Sequence, residues 1–379
     1  MRVAYVQYTN PGGYPPLEHS SRILAGRGWK VLFLGTGAVG TAALELPSHP
    51  SITVRRLTHC PAGFRQKLHY LWFCIWVVGA VLRWRPRWVY ASDPFSSPVT
   101  VLLSYLPGIH VIYHEHDSPA EGNRTGFFSF VLRCRRALAR RARLCVLPNE
   151  QRAAGFRWQT GAGDNVLTVW NCPLREESAK PQKESTNAIW LYYHGSIAAE
   201  LLPMAVIEAL AGLPETVKLR IVGYETIGSR GYSSRIKERA QELGVAHRIQ
   251  FHEALPRREL LEICRKSDIG LALMPIGSSD PNLRSLAGAS NKAFDYLACG
   301  LALVVPDAPD WRSMFADPGY GVACDPADRA SVAEALRTLI ADPERMRAMG
   351  ECGRIKIQRE WNYERQFEAV LAVMEADAA

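Results

Sequence analysis

The 379-residue sequence lacks several features that would place a protein in a class at once. Its nine cysteines are odd in number, scattered and without a CxxC pair, which argues against a disulfide framework or a zinc site and predicts a reducing compartment. The amino terminus has no basic start followed by an apolar core, so we expect no signal peptide. No period of roughly 20 to 50 residues recurs, which sets solenoids and propellers aside. The first strand leads into NPGGYPP rather than a GxGxxG turn, which disfavours a nicotinamide-dependent dehydrogenase.

The net charge of +8 hides an uneven distribution. Residues 1–172 hold 20 Lys and Arg against 8 Asp and Glu, or +12, and the remainder holds 25 against 29, or −4. Much of the basic character lies in RCRRALARRAR, where four arginines recur at helical spacing, namely Arg133, Arg136, Arg140 and Arg143. Such a face is either a solvated helix surface or one that attracts an anionic membrane or an anionic acceptor. The sequence leaves both interpretations open.

An apolar stretch precedes a second basic segment. Residues 68–82, LHYLWFCIWVVGAVL, are apolar almost all round and are followed by RWRPRW. These 15 residues are fewer than the roughly 20 that span a bilayer, so no transmembrane helix is expected. We expect a helix buried between a sheet and its neighbours, with a helix lying on a membrane as the alternative. The alternative makes an anionic membrane surface a candidate partner.

Short apolar strands alternate with helical stretches along most of the chain, which is typical of a parallel sheet covered on both faces. The predicted strands form two sets of five, at 3–7, 30–34, 88–91, 110–114 and 144–147, and at 189–193, 218–222, 249–252, 269–274 and 301–305. Between the sets, REESAKPQKESTN is polar and without apolar periodicity, which is typical of a linker. We therefore predict an α/β chain with two doubly wound domains whose ligands bind at the carboxyl ends of the strands. The predicted parts are a domain at 1–174, a linker at 175–187, a domain at 188–360 and a terminal helix at 361–379 that packs back toward the first domain.

The segment at 290–307, SNKAFDYLACGLALVVPD, carries the clearest chemical signal. Ser290 suits a helix N-cap, Gly300 a helix end, and the apolar run after it a buried strand. Asn291, Lys292 and Asp295 stand three and four apart, so they share a face near the N-terminal end of the helix. A helix N-terminus beside a lysine attracts anions, and a carboxylate one turn further in can accept hydrogen bonds from ribose hydroxyls. The arrangement suits a nucleoside diphosphate, with a solvated lysine and a surface aspartate as the plain alternatives.

Segments in a fixed order along nearly the whole chain resemble the retaining glycosyltransferases of the two-Rossmann-domain GT-B fold, and among them family 4 (group 1). The segments are VAYVQYTNPGGYPP, VIYHEHDSP, VLPNEQRA, HGSIAAELLPMAVIEAL, LRIVGYE, HRIQFHEALPRREL, SDIGLALMP, SNKAFDYLACGLALVVPD and WNYERQF. Each segment is weak evidence alone, whereas their order is specific. The resemblance implies two Rossmann-like domains facing across a cleft, with the nucleotide sugar bound by the second.

The resemblance implies that the donor is held by residues of the second domain, namely Gly195, Ser196, Gly223, Arg284, Ser290, Asn291, Lys292 and Asp295. For the glycines a structural turn is the alternative. The chain departs from the family twice. The acid that often stands eight positions before Asp295 is replaced by Ala287, and the arginine and lysine that often follow the first glycine are replaced by SIAAE. Lys292 is the expected substitute in the diphosphate clamp, with Arg284 as a second cation.

In the first domain the resemblance makes His116, within HEHD at a strand end, the main catalytic residue in contact with the transferred sugar. Asp117 is expected to orient it. The residues expected on the acceptor or sugar side are Gly12, Gly13, Tyr14, Asp93 and Glu115, with turn capping as the alternative for Asp93. The HEHD spacing fits no common zinc motif and the family needs no tightly bound metal, so no metal site is expected. The leaving phosphate can remove the acceptor proton, so no nucleophile is assigned.

The expected activity is transfer of a hexose-type sugar from a UDP- or GDP-sugar to an acceptor hydroxyl with retention of configuration, in glycan or glycolipid biosynthesis. No tightly bound cofactor is expected. The acceptor is expected to be a glycan, a lipid-linked molecule or a small molecule, and nucleic acid is not an expected partner. The expected location is cytoplasmic, with membrane association on the cytoplasmic face as a variant. One alternative is a sugar-nucleotide epimerase or hydrolase on the same fold. Because the usual clamp residues are absent, a non-catalytic glycosyltransferase-like partner is the other alternative.

Overall fold

The computed structural model of the protein describes residues 1–39, 43–119, 126–182 and 187–376. The chain divides into two compact units. Unit 1 combines Met1–Asn171 with the chain from Tyr363 onward, and unit 2 is Cys172–Asn362. Each unit is an α/β structure with its own buried core.

Unit 1 is built on seven strands, β1 (Arg2–Val6), β2 (Lys30–Thr36), β3 (Ile52–Leu57), β4 (Trp88–Ser92), β5 (His110–His114), β6 (Leu144–Leu147) and β7 (Val166–Thr168). They form one parallel sheet in the order β3-β2-β1-β4-β5-β6-β7. The connecting helices are α1 (Pro15–Gly26), α2 (Phe64–Trp84), α3 (Ser97–Leu103), α4 (Gly126–Arg141) and α5 (Glu150–Thr160). The strand order reverses between β1 and β4, and ligands of such sheets bind at the carboxyl ends of the strands beside that switch point.

Unit 2 repeats the plan with six strands, β8 (Ile189–Ser196), β9 (Val217–Tyr224), β10 (Ile249–His252), β11 (Ile269–Leu271), β12 (Ala302–Pro306) and β13 (Gly321–Cys324). They form a parallel sheet in the order β10-β9-β8-β11-β12-β13, with the switch point between β8 and β11. Its helices are α6 (Met204–Leu210), α7 (Tyr232–Glu242), α8 (Arg257–Cys264), α9 (Pro281–Arg284), α10 (Asn291–Ala298), α11 (Pro309–Trp311), α12 (Arg329–Ile340) and α13 (Pro343–Arg359). The prediction of an α/β chain with two doubly wound parallel sheets is confirmed.

The last helix, α14 (Tyr363–Ala376), belongs to unit 1 and packs against α1 and β7. Its buried residues are Tyr363, Phe367, Val370, Leu371 and Met374. These positions recur every three or four residues, which is the spacing of one helix face. The chain therefore completes unit 1 with a helix that is more than 180 residues distant in sequence from the rest of that unit.

Each of the ten predicted strands overlaps an observed strand, and the three that the sequence did not reveal are β3, β7 and β13. All three lie at an edge of a sheet. β3, with the sequence ITVRRL, has no fully buried position, and β7 has only three residues. An edge strand is short or polar because one side of its backbone faces away from the sheet, so it lacks the continuous apolar run that marks a central strand.

The segment predicted as a linker is attached to unit 2 wherever the structure describes it. The Ala179 amide donates to the Ala298 carbonyl at 3.1 Å, and the Gln182 amide donates to the Arg265 carbonyl at 2.8 Å. Glu177 forms an ion pair with Arg257. Residues 183–186 of the predicted linker lie outside the described residues. The polar composition of residues 175–182 thus reflects surface packing and one ion pair rather than a free tether.

Helix α2 contains the long apolar stretch, and the expectation that it is buried on all sides is wrong. Its buried side chains are Tyr70, Phe73, Val77 and Val81, which lie on one face. The opposite face is exposed. No helix in the described ranges is long and apolar enough to cross a membrane.

Close backbone packing fixes the position of α10 in unit 2. Ser290 caps the helix by accepting a 3.4 Å hydrogen bond from the Lys292 amide, and Gly300 follows its end with a φ of +76°. Both features were predicted from the sequence. On the neighbouring helix α13, a Cβ at Gly350 would lie 2.1 Å from the Gly300 carbonyl oxygen. Only glycine at position 350 therefore lets α13 approach the end of α10.

Replacing Gly350 with alanine is expected to lower the free energy of unfolding by about 1–3 kcal/mol, because the methyl group would force backbone to move. Urea denaturation followed by circular dichroism measures the change. Gly155→Ala, within α5, is the matched control, since a Cβ there meets nothing within 4 Å. Equal stability of the Gly350→Ala protein and the wild type would contradict the packing described.

Candidate functional site

The carboxyl ends of β8 and β9 meet at two glycines. Gly195 and Gly223 are register partners in the sheet, and a Cβ at Gly223 would lie 1.9 Å from the Gly195 carbonyl oxygen. Gly195 has a φ of +108°, a conformation that favours glycine. The close approach gives Gly223 a structural reason to be glycine. Together the two glycines let the ends of β8 and β9 and the Lys292 side chain approach one another beside the switch point of unit 2, where a ligand of this fold is expected.

Lys292 lies over this end of β8. Its Nζ is 3.2 Å from the position of a Cβ on Gly195 and 5.5 Å from the centroid of the Tyr193 ring. Within the described residues, no hydrogen-bond acceptor contacts Nζ. Burial lowers the pKa of Lys292 to about 8, while the negative charge of Asp295 acts in the opposite direction. The side chain is thus mostly an ammonium at neutral pH, with its donors available to an anion.

Asp295 does not lie on an accessible face. The residue is 1% exposed, and its two carboxylate oxygens accept hydrogen bonds from the Arg257 guanidinium, at 2.8 Å from Nη2 to Oδ1 and 3.1 Å from Nη1 to Oδ2. His194 Nε2 lies 3.4 Å from Oδ2. This corrects both the predicted ribose contact and its surface-carboxylate alternative. An ionised carboxylate in a buried helix must be paired, and the pairing turns Asp295 into the interior of unit 2.

Arg257 and Glu177 complete this ion-pair network, and sequence reasoning missed both. Arg257 Nε and Nη2 bind the two oxygens of Glu177 at 2.5 and 2.9 Å. Arg257 is the first residue of α8. A cation at a helix N-terminus is unfavourable to the helix dipole, and that position was the signal in the sequence that Arg257 has a specific acidic partner.

His194 is a second residue that the sequence interpretation left out. It is buried at the end of β8, and its backbone amide donates to the Tyr296 hydroxyl at 3.1 Å. Burial, followed by the charges of Lys292 and Arg257, holds the pKa of His194 well below its usual value. Its imidazole is therefore neutral and adds no charge beside Asp295, Arg257 and Lys292.

The remaining predicted donor residues are placed differently. Asn291 lies at the start of α10 with a buried Oδ1 that has no hydrogen-bond partner in the described part of the chain. Ser196 follows Gly195 and its carbonyl accepts a hydrogen bond from the Tyr193 hydroxyl. Arg284 is exposed at the end of α9, and no contact in the described ranges joins it to Lys292. The structure thus gathers Gly195, Ser196, Asn291 and Lys292 at one end of the sheet, and it leaves Arg284 apart.

In unit 1, His116 lies just beyond the end of β5. It is 6% exposed, its ring centroid is 5.3 Å from that of Tyr14, and neither ring nitrogen has a hydrogen-bond partner among the residues described. Burial lowers the pKa of His116 to about 3, and the positive charge of Arg152 lowers it further. The imidazole is thus neutral, and each ring nitrogen can exchange one hydrogen bond with a ligand hydroxyl.

Asp93 holds the backbone of this segment. Its Oδ1 accepts a 2.9 Å hydrogen bond from the His116 amide, and its own φ is +62°. A non-glycine residue in this conformation is strained, and such strain often accompanies functional sites. Burial raises the pKa of Asp93 to about 8, and the negative charge of Asp117 adds to the rise. Asp93 therefore positions His116 through the main chain.

The loop after β1 supplies Tyr14 from a tight turn. Asn10 caps the turn at Pro11–Gly13 by accepting a hydrogen bond from the Gly12 amide. A Cβ on Gly12 would lie 2.3 Å from the Leu44 carbonyl oxygen, whereas one on Gly13 would meet nothing within 4 Å. Gly12 is therefore required by packing, and the space beside Gly13 is open.

Two predicted roles near His116 are corrected. Glu115 is 1% exposed and binds the Arg135 guanidinium at 2.5 and 2.6 Å and the Tyr113 hydroxyl at 2.7 Å. Successive residues of an extended chain point to opposite sides, so Glu115 turns into the core and does not line a sugar site. Asp117 is 72% exposed and lies 3.5 Å from Arg152, so it does not orient the His116 ring.

Further buried polar atoms surround His116 that the sequence interpretation did not include. Gln7 follows β1, and Ser92 and His114 are the last residues of the adjacent strands β4 and β5. Each has a buried side-chain atom without a hydrogen-bond partner in the ranges described. The His114 and His116 rings are 4.0 Å apart. Buried polar groups are nearly always bonded, whether to protein, water or ligand. This end of the unit 1 sheet is thus suited to a ligand with many hydroxyl groups.

Within the described residues, no group of three or more His, Cys, Asp and Glu side chains is arranged to hold a metal ion.

Replacing Arg257 with methionine is expected to lower the free energy of unfolding by about 3–5 kcal/mol, because the buried carboxylates of Asp295 and Glu177 would lose the guanidinium that pairs with both. Chemical denaturation measures the change. The adjacent Arg258 is the matched control. Its side chain is 89% exposed and pairs with Glu262, so Arg258→Met should alter stability by less than about 0.5 kcal/mol. Similar small effects of both substitutions would show that the network does not stabilise unit 2.

Comparison with known proteins gives family matches over both halves of the chain. A glycosyl transferase 4-like domain model matches residues 16–172, and a glycosyl transferase-like model matches residues 204–372. A D-inositol 3-phosphate glycosyltransferase from Xylanimonas cellulosilytica is 27% identical over 174 residues, which are 45% of this chain and 38% of the relative. A GDP-mannose-dependent α-(1-6)-phosphatidylinositol monomannoside mannosyltransferase from Mycolicibacterium smegmatis is 27% identical over 216 residues, which are 57% of this chain and 49% of the relative. The matched segments thus span less than half the length of these relatives.

Solved structures match over the whole chain. Sucrose-phosphate synthase from Thermosynechococcus elongatus aligns with a TM-score of 0.75 at 17% identity, covering 100% of this chain and 99% of its own. HepE from Anabaena, in complex with UDP and glucose, aligns with a TM-score of 0.72 at 16% identity, covering 99% and 100%. At these identities the likeness shows the fold. Together with the two family matches it shows that the chain belongs to the group 1, family 4-like glycosyltransferases of the GT-B fold.

Proposed function

We propose that the protein transfers a hexose-type sugar from a nucleoside diphosphate sugar to an acceptor hydroxyl, with retention of configuration and without a tightly bound metal. The observation that carries the proposal is the Lys292 ammonium packed against the Gly195 backbone at the end of β8. Breaking the bond between sugar and diphosphate places negative charge on the leaving group, and a fixed cation beside backbone amides stabilises that charge. Lys292, Gly195 and the start of α10 offer this arrangement at the switch point of unit 2.

Helix α10 contributes backbone amides as well as the Lys292 cation. Because α10 begins at Asn291, its first amides point toward an anion bound near Lys292. Arg257 pairs with Asp295 and Glu177, so those carboxylates are occupied and do not compete for the Lys292 ammonium at hydrogen-bond distance. We therefore assign the diphosphate to Lys292, the Gly195 and Ser196 backbone and the start of α10. Asp295 then acts as a positioning residue through its buried pair.

For unit 1 we propose that His116 contacts the transferred sugar. Its neutral ring has two nitrogens available, and the neighbouring ends of β1, β4 and β5 carry further polar atoms without partners in the described residues. Hydrogen bonds that strengthen as charge develops on the sugar lower the barrier. The acceptor proton is expected to pass to the leaving diphosphate, so His116 needs no proton of its own.

The nature of the base, the sugar and the acceptor is proposed only as a class. The HepE structures contain UDP or UDP-glucose, and the mycobacterial relative is named as GDP-mannose-dependent. Both support a UDP- or GDP-sugar as the donor substrate. The two curated relatives are named for inositol-containing acceptors, a small phosphate and a lipid, which supports a glycan, lipid-linked or small-molecule acceptor.

Product analysis with a labelled nucleotide sugar tests the reaction class. Transfer predicts labelled acceptor that appears only when acceptor is present, with the configuration at the transferred carbon retained. Label that is released as free sugar, or an epimerised nucleotide sugar without acceptor, would support the hydrolase or epimerase instead. Failure to bind any nucleoside diphosphate would support a non-catalytic partner.

Replacing Lys292 with methionine is expected to weaken nucleoside diphosphate binding about 10- to 100-fold, because a hydrogen-bonded charge is lost. Isothermal titration calorimetry with UDP and with GDP measures the affinity. Wild-type affinity should fall as pH rises through about 8, since the pKa of Lys292 is lowered to that value and the neutral amine no longer attracts the anion.

Two variants control this experiment. Lys292→Arg keeps the charge at high pH, so its affinity should change little between about pH 7 and about pH 10. Lys237→Met removes an exposed lysine of α7 and should bind like the wild type. Unchanged affinity of the Lys292→Met protein would remove Lys292 from the diphosphate site.

Replacing His116 with alanine is expected to lower the turnover number about 100-fold or more while leaving nucleoside diphosphate affinity in place, because the lost hydrogen bonds act on the sugar. Steady-state transfer kinetics and calorimetry separate the two effects. His59→Ala, at an exposed position, is the control. Full transfer activity of the His116→Ala protein would overturn this assignment.

A further inference from the structure

Helix α2 of unit 1 carries a continuous apolar face that is exposed in the part of the chain that the structure describes. Six of its large apolar side chains are more than half exposed, at 75, 58, 58, 56, 54 and 53%, namely Phe64, Leu68, Leu71, Trp72, Ile75 and Leu82. At about 100° per residue, these six positions fall within an arc of about 100°. Exposed apolar residues that are scattered need no explanation, whereas a contiguous patch indicates a binding surface. We call these six residues the α2 face.

The exposure does not come from a loosely attached helix. Phe73, Val77 and Val81, on the opposite side of α2, are 0, 0 and 1% exposed and belong to the core of unit 1. The Tyr70 hydroxyl donates a 2.8 Å hydrogen bond to the Phe95 carbonyl. The helix is thus fixed on the core by one side and presents the α2 face on the other.

The charges in the sequence segment that contains α2 have one sign. No Asp or Glu occurs between Glu45 and Asp93, whereas seven Lys and Arg do. On the helical wheel, Arg65 and Arg83 fall on one side of the apolar arc and Lys67 on the other, and all three are exposed. Long basic side chains at the border of an apolar face can keep their charges at the level of lipid headgroups while the apolar face enters the acyl region.

We propose that the α2 face is a membrane-docking surface that binds an anionic phospholipid bilayer, with the helix lying in the plane of the interface. The 21 residues of α2 form a rod about 31 Å long, whose apolar side inserts and whose flanking cations bind headgroup phosphates. The positive charge at both ends of the helix favours lipid over a protein partner, because it complements an anionic surface that lies parallel to the helix. The proposal goes beyond the proposed function and does not depend on it, because vesicle binding requires no donor.

Co-sedimentation with vesicles tests the proposal. The wild-type protein is expected to bind vesicles of phosphatidylglycerol and phosphatidylcholine, and to bind them more weakly at high salt and in pure phosphatidylcholine. Leu71→Ser combined with Trp72→Ser should weaken binding at least about tenfold, because two inserted side chains are lost. Both residues are more than half exposed, so the double variant should retain its thermal unfolding midpoint.

A charge variant and a matched tryptophan variant separate the contributions. Arg65→Gln combined with Lys67→Gln should weaken binding to the anionic vesicles about fivefold for each charge and should leave the weak binding to neutral vesicles unchanged. Trp158→Ser removes a tryptophan that is 83% exposed on α5 and should bind like the wild type.

Three results would overturn the proposal. The first is a wild-type protein that binds no vesicles, and the second is a Leu71→Ser, Trp72→Ser protein that binds as well as the wild type. The third is self-association through the α2 face without vesicle binding. It would appear in sedimentation velocity as a wild-type dimer that is absent for the double variant.

Discussion

The pairing of a buried carboxylate controls the arrangement of unit 2. Asp295 lies inside a helix whose neighbouring residues are all buried, and an ionised group there is tolerated only with a partner of opposite charge. Arg257 supplies that partner and at the same time binds Glu177. The network fixes α10 against α8 and the segment before β8. It also uses up the nearby acidic groups, which leaves Lys292 as a cation without a direct ion pair in the described part of the chain.

The two candidate sites follow from the same topological rule but differ in charge. Each lies at the carboxyl ends of strands beside the point at which the strand order reverses. In unit 2 two glycines let the ends of β8 and β9 lie close to Lys292, which adds positive charge. This arrangement suits a diphosphate. In unit 1 burial keeps His116 neutral beside buried polar atoms that have no hydrogen-bond partner among the described residues, which suits a sugar. The proposed reaction requires both properties, because charge develops on the leaving group while the sugar must be held by hydrogen bonds.

The sequence predicted the central strands and the caps of α10, because local signals determine them, whereas the expectation that Lys292 lies near Gly195 came from the family resemblance. It failed where partners come from distant segments. Asp295 was interpreted from its helix alone, whereas its partner Arg257 lies 38 residues away. Glu115 was expected at a site because its neighbours are histidines, yet strand alternation directs it to Arg135. Helix α2 is apolar on the face that packs on the core and also on the exposed face. Composition alone does not distinguish these two faces.

The central claim is that a nucleoside diphosphate binds at the start of α10. A crystal structure of the wild-type protein grown with UDP or GDP tests it most directly. If a nucleoside diphosphate binds at the start of α10, a diphosphate oxygen lies about 3 Å from Lys292 Nζ, with others near the Gly195 and Ser196 amides. The pair between Asp295 and Arg257 is then unchanged. A diphosphate bound away from Lys292, or a ribose bound by Asp295 after release from Arg257, would contradict it.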